Sequence, residues 1–270
     1  MIETPTEHPR PLTLLTPFTD FLVALQFLTV MPPLLRRELS GRELGRSVGY
    51  YPLVGLLVGA LLWGADELLG RILPPLVAAA LVLAIWILLT GALHTDGFID
   101  SCDGLLGGFT PEQRLAILKD EHVGAYAVIG AVLLLLVKFA ALTTVIARGG
   151  LGILLVPTLG RWAITLAMAA CPYARKIGLG RDLKDNVTIT QVVLATLTAL
   201  AAAFLIGSWR GLIACAVAAL VAAGGAAFTL KRIPGLTGDS YGMINELVEA
   251  AVILLLPILV SIPWRLPWGV

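Results

Sequence analysis

Four stretches of this chain run 19 to 24 residues without a charge: 47–65, 72–95, 186–209 and 211–230. Two more, 122–147 and 149–173, are interrupted only by Lys138 and Arg161. A seventh, 243–263, carries Glu246 and Glu249 near its start. A helix needs about 20 mostly apolar residues to cross a bilayer. Lipid offers backbone N–H and C=O groups no partner outside a helix or a closed barrel. The pattern predicts an all-α fold: a polytopic integral membrane helical bundle of about seven transmembrane helices between 47 and 262. The whole of 1–270 reads as a single membrane-embedded domain. Ahead of the bundle, 17–33 has an apolar core of only about 11 residues ending in Pro32-Pro33. That length predicts an interfacial or re-entrant helix, with a full span as the alternative.

Composition agrees. Hydrophobic residues make up 58% of the chain and charged residues 14%, against about 25% charged in soluble domains. Mean hydropathy is +0.90. A net charge of +1 gives no electrostatic case for nucleic acid. Cys102, Cys171 and Cys215 are far apart and show neither metal-site spacing nor a disulfide framework. The polar, proline-rich start does not read as a secretory signal.

Lys and Arg collect in cytoplasmic loops of membrane proteins. With seven crossings from residue 47, one side holds Arg36, Arg37, Arg42, Arg46, Arg114, Lys119, Arg175, Lys176, Arg181, Lys184, Lys231 and Arg232. The other holds Arg71, Arg148, Arg210 and Arg265. This imbalance predicts a multi-pass protein of the cytoplasmic (inner) membrane. Its longer segments, 34–46, 94–121 and 171–185, then face the cytoplasm.

The chemistry concentrates in those segments. In His94-Thr95-Asp96-Gly97-Phe98-Ile99-Asp100-Ser101-Cys102-Asp103-Gly104, three carboxylates fall at helical spacing on one face. Carboxylates this close repel unless a cation or protons neutralise them. Hard oxygen ligands in a row suit Mg²⁺ or Ca²⁺, and Mg²⁺ commonly brings a phosphate. Asp120 follows at the start of the next apolar run. A second group is Thr237-Gly238-Asp239 with Glu246 and Glu249 beyond it. Asp239 can serve as a helix cap, and membrane carboxylates are functional candidates. A third group is cationic. Arg161 and Arg175 have guanidinium groups suited to bidentate phosphate contact; Arg161, within a span, also calls for a buried partner. Lys138 is open to snorkelling, to pairing with a buried carboxylate, or to catalysis. Together these parts fit transfer at a pyrophosphate, with an alcohol or phosphate acceptor attacking one phosphorus and a metal neutralising the leaving phosphate.

Several motifs in order resemble the cobalamin synthase (adenosylcobinamide-GDP ribazoletransferase) family. They are Gln26-Phe27-Leu28-Thr29, Tyr51-Pro52-Leu53-Val54-Gly55, the 94–104 segment, Asp120 with Gly124, Tyr173-Ala174-Arg175 with Gly178-Leu179-Gly180, and Thr237-Gly238-Asp239 with Gly242 and Glu246. The resemblance implies a Mg²⁺-dependent transferase of late cobalamin (vitamin B12) biosynthesis. Its substrates are adenosylcobinamide-GDP and α-ribazole or α-ribazole 5′-phosphate; its products are adenosylcobalamin or its 5′-phosphate, and GMP. By the same resemblance, Asp96, Asp100, Asp103 and Asp120 are catalytic and metal-binding. Arg161, Arg175, Thr237, Asp239 and Glu246 are then substrate-binding. The resemblance leaves room for a homo-oligomer or for association with other late cobalamin-assembly enzymes. Two other classes compete: a CDP-alcohol-type phospholipid phosphotransferase, and a carboxylate-based cation- or proton-coupled transporter. A transporter calls for acids near mid-span and repeat symmetry, whereas here the acids gather at one membrane face.

Overall fold

The first helix, α1 (Thr16–Leu28), is 13 residues long, about 20 Å at 1.5 Å per residue. It is too short to cross a bilayer, as its short apolar core predicts. In this computed structural model, which describes residues 16–146 and 150–260, α1 buries Val23, Ala24, Leu25 and Leu28. Asp20 of α1 accepts from Arg46 Nε at 2.8 Å. The reading of the first 15 residues, and the charges Arg148 and Arg265, lie outside the described residues.

Short polar signals start the next helices. Ser40 and Glu43 form a reciprocal capping box that opens α2 (Gly41–Ser47). A 3₁₀ turn, Val48–Tyr50, leads directly into α3 (Tyr51–Leu69). α4 (Pro75–Leu89) follows, and α5 (Leu93–Gly107) leaves it at 89°. The corner is made by Gly91 (φ 60°) and Ala92 (φ 55°), both left-handed. Thr110 and Gln113 box the start of α6 (Pro111–Ile117). Then come α7 (Ala125–Ile146), α8 (Leu155–Ala170), the short α9 (Leu179–Asn186), α10 (Ile189–Leu230) and α11 (Gly238–Val260). Among the described residues, extended pairing is confined to one parallel bridge, Tyr173 with Leu236.

The result is a polytopic membrane helical bundle. Among the described residues, five helices are long and apolar enough to cross a membrane, or six if the bent α4–α5 pair is one span. The 42-residue α10 counts once in that number, yet it is two helices joined across a kink, carrying most of run 186–209 and all of 211–230. That element is not straight: Ser208 has φ 56° and ψ −141°. A Cβ on Gly211 would lie 1.9 Å from the carbonyl oxygen of Ala203, so the chain doubles back here. Only a residue without a side chain permits that approach. Both arms bury small residues, Ala195, Ala199 and Ala203 before the fold and Ala214, Ala218 and Ala222 after it, which suits close packing in lipid.

The basic segments meet at one end of the bundle. Arg114 Nη1 donates to the Arg232 carbonyl at 3.2 Å, and Arg175 Nη2 to the Leu118 carbonyl at 3.0 Å. The Ala174 amide donates to the Leu236 carbonyl, and the Leu236 amide to the Pro172 carbonyl, each at 2.8 Å. α2 packs on α9. The segments that charge counting placed on one side of the membrane therefore form one continuous face.

Candidate active site

The aspartate row is on α5, as its spacing requires. His94, Gly97, Ser101 and Gly104 form the buried stripe of this helix, and helical periodicity puts Asp96, Asp100 and Asp103 on the adjoining face. α5 lies directly on α11. A Cβ on Gly97 would come within 3.0 Å of the Asp239 Cα and carbonyl, and one on Gly242 within 2.9 Å of the His94 carbonyl. This backbone contact brings the first and second sequence groups together. Asp100 has Asp96, Asp103, Asp239 and Arg175 as its charged neighbours.

Asp96 and Asp100 open onto a cavity of about 590 Å³. Lys119, Asp120, Glu121 and His122, from the turn between α6 and α7, line it as well. Among the described residues, no hydrogen bond or ion pair engages the carboxylate of Asp96 or Asp100.

The other acids have partners. Asp103 Oδ2 accepts from the Gly124 amide at 2.6 Å and Oδ1 from the Ala127 amide at 2.9 Å. This carboxylate satisfies amides left over at the start of α7, where the helix dipole favours a negative charge. Asp120 Oδ1 contacts His122 Nδ1 at 2.5 Å and accepts from the His122 amide at 3.0 Å. The imidazole holds the Asp120 carboxyl below the usual carboxylate range, and the carboxylate pushes the His122 imidazole up. Asp239 Oδ2 accepts from Arg175 Nη2 at 2.7 Å and from Thr237 Oγ1 at 3.2 Å. Asp239 is not the cap of α11. Thr237 and Ser240 are paired reciprocally there: the Ser240 amide donates to Thr237 Oγ1 and the Thr237 amide to Ser240 Oγ, both at 3.2 Å.

This donor set bears on Mg²⁺. Among the described residues, no three His, Cys, Asp or Glu side chains form a metal-binding group. Mg²⁺ does not need such a cage; it commonly takes one or two carboxylates and fills its octahedron with water and substrate phosphate. Asp96 and Asp100, free, one turn apart and facing a cavity, meet that requirement. Asp120 lines the same cavity but its carboxylate is engaged by His122, and Asp103 is turned to the α7 amides.

The structure separates the cationic candidates. Arg175 is at the face, within reach of the acidic site. Arg161 is 1% exposed and donates to Glu249 Oε1, so its expected buried partner is present and it does not line the cavity. Lys138 pairs with Glu246 and, at 2.6 Å, with Glu249. Of the three roles open to Lys138, the structure shows pairing. Glu246 therefore belongs to a buried ion network, joined to α5 through Thr95 Oγ1 at 3.2 Å.

Comparison with known proteins decides the family. The sequence matches the profile described as cobalamin-5-phosphate synthase across residues 20–257. The chain belongs to the cobalamin-5-phosphate synthase family. It is 44% identical over 236 residues to the adenosylcobinamide-GDP ribazoletransferase of Pseudomonas putida, covering 87% of this chain and 96% of that one. The protein of the same name from Ectopseudomonas mendocina is 43% identical with the same coverage. That from Stutzerimonas stutzeri is 42% identical over 235 residues, covering 86% and 95%. No solved structure matches the chain.

No sequence motif marks Lys138, Glu249 and Thr95 as one network with Glu246. Glu249, at +3 from Glu246, was the available signal, since the two share one helix face. Their common partner, Lys138 on α7, lies 108 and 111 residues away, which no local pattern reveals.

Proposed function

We propose that this protein joins adenosylcobinamide-GDP to α-ribazole or α-ribazole 5′-phosphate, forming adenosylcobalamin or its 5′-phosphate and releasing GMP. The observation that carries this reading is the cavity at the basic face. Its free carboxylates, Asp96 and Asp100, belong to the segment that resembles the family motif. The product formed from α-ribazole 5′-phosphate keeps that phosphate, so the attacking group is a ribose hydroxyl. Its oxygen forms a new bond to the phosphorus on the cobinamide side, the pyrophosphate P–O bond breaks, and GMP leaves with the bridging oxygen.

The residues divide the work. Asp96 and Asp100 would hold Mg²⁺, and Asp120, paired with His122, lines the same cavity. When bound, the metal supplies Lewis-acid neutralisation of the pyrophosphate and of the departing phosphate. Arg175 and Lys119 bring fixed positive charge to the phosphate oxygens, and Thr237 and Asp239 hold Arg175 in place. Arg161 and Glu246 belong to the buried ion network and do not line the cavity. Asp103 couples the carboxylate helix to the start of α7. The positive-inside distribution supports a cavity on the cytoplasmic side of the inner membrane.

The test is metal dependence combined with substitution. Protein in liposomes, stripped with EDTA, should form GMP only after Mg²⁺ is restored. Asp96→Asn should lose that response while the protein still inserts and elutes as the wild type. Full turnover in the stripped protein, or a normal Mg²⁺ response in the variant, would reject the metal reading.

A further inference from the structure

Beneath the cavity runs a chain of buried charges that no step of the proposed reaction uses. Arg161 on α8 donates to Glu249 Oε1 on α11. Lys138 on α7 donates to Glu249 Oε2 at 2.6 Å and also to Glu246 Oε2. Thr95 on α5 donates to Glu246 Oε1 at 3.2 Å. None of the four charged groups is more than 4% exposed. Two cations meet two carboxylates, so the chain balances without a bound ion.

Such a chain is a poor stabilising device. Four desolvated charges are costly at membrane depth, and apolar residues of equal volume pack as well or better. What it can fix is geometry. α5 meets α11 through the backbones at Gly97 and Gly242, and glycines offer no side chains to interdigitate. The rotation of α5 about its axis then rests on the packing of Phe98 and Cys102 against Gly130 of α7 and on polar ties. Among the described residues there are two. Thr95 holds its start to Glu246, and Asp103 holds its end to the amides of Gly124 and Ala127. Asp96 and Asp100 lie between them.

We infer that Thr95, Glu246, Lys138 and Glu249 are positioning residues that set the rotation of α5 and so aim Asp96 and Asp100 into the cavity. Lys138, gripped by both glutamates, fixes the direction of Glu246; the remaining oxygen of Glu246 then fixes Thr95, next to Asp96. This rests on Asp96 and Asp100 being the metal-holding pair.

Mn²⁺, followed by EPR on purified, substrate-free protein, reads the aim of the carboxylates without turnover. Thr95→Val removes the hydroxyl at nearly constant shape. Mn²⁺ affinity and Mg²⁺-dependent turnover should each fall about 10–100-fold, the scale for groups that orient metal ligands. The unfolding temperature should shift by roughly 2–4 °C at most, and Thr95→Ser should restore both functions. Wild-type affinity and turnover in Thr95→Val overturn the inference, as does a Thr95→Ser variant equally impaired. A much larger fall in unfolding temperature assigns Thr95 to stability and overturns it too. Wild-type protein that binds no Mn²⁺ removes the metal reading itself, and this inference with it.

Discussion

Asp96, Asp100 and Asp103 share a helix face yet face different work, and substitution should separate them. Asp96→Asn and Asp100→Asn remove charge from carboxylates that hold nothing within the protein, so stability should be kept or slightly raised. Turnover should fall by about 10²–10³-fold or more, the scale of removing one electrostatic contact to developing charge. Asp103→Ala strips the acceptor from two α7 amides. It should cost about 1 kcal/mol of stability, as losing a helix cap does, together with activity; thermal unfolding in detergent checks the difference. The Asp120–His122 pair gives a pH signature. The neighbouring carboxylate favours the imidazolium, so His122 should titrate above 6.5, and Asp120→Asn should bring it back towards that value. NMR of ring-labelled histidine reads both. At this scale the sequence made the aspartate row legible, because helical spacing is local. It could not show that Asp103 reaches amides 21 and 24 residues away. Nor could it tell Arg161, paired with a glutamate on another helix, from Arg175 at the cavity side.

Between elements, the decisive feature is the 89° corner that turns α5 away from α4. The 15 residues of α4 rise about 22 Å, so α5 leaves the direction of α4 before a full span is complete. Ala92 holds a left-handed conformation at the corner, which costs an L-residue with a side chain roughly 1–2 kcal/mol. Ala92→Gly should keep or raise the unfolding temperature, and Ala92→Val should lower it and reduce activity with it, since β-branched residues are the least tolerant of this region. The crossing of α5 and α11 is equally strict. A side chain at Gly97 meets backbone at 3.0 Å, so Gly97→Val should cost about 1–3 kcal/mol or more and abolish turnover. The apolar helices themselves could be read from run length. The corner could not, because Gly91-Ala92 contains no proline and sits inside an uncharged run. The doubling back at Ser208 is the converse case. Charge at Arg210 separates two apolar runs, and the structure breaks the helix beside it, at Ser208.

For the molecule as a whole, the account requires one chemical face and one quiet face. The basic segments were assigned to one side by counting charges, and in the structure they touch one another through Arg114, Arg175 and the Tyr173–Leu236 bridge. Sidedness follows as a prediction. In spheroplasts, a membrane-impermeant maleimide should label Arg71→Cys without treatment, but Lys119→Cys and Lys176→Cys only after permeabilisation. Labelling of Lys119→Cys and Lys176→Cys from outside, with Arg71→Cys protected, would invert the topology. The sequence revealed the class and the family, since length, order and spacing of motifs survive without coordinates. It left the buried ion network and the number of continuous helices to the structure, because both depend on which helices become neighbours. The central claim is transfer between two substrates at the Asp96–Asp100 cavity, and GMP release by the purified protein in liposomes with Mg²⁺ tests it most directly. GMP should form from adenosylcobinamide-GDP only when α-ribazole or its 5′-phosphate is supplied. Folded protein that releases no GMP with both substrates present, or releases it equally without the acceptor, contradicts the account.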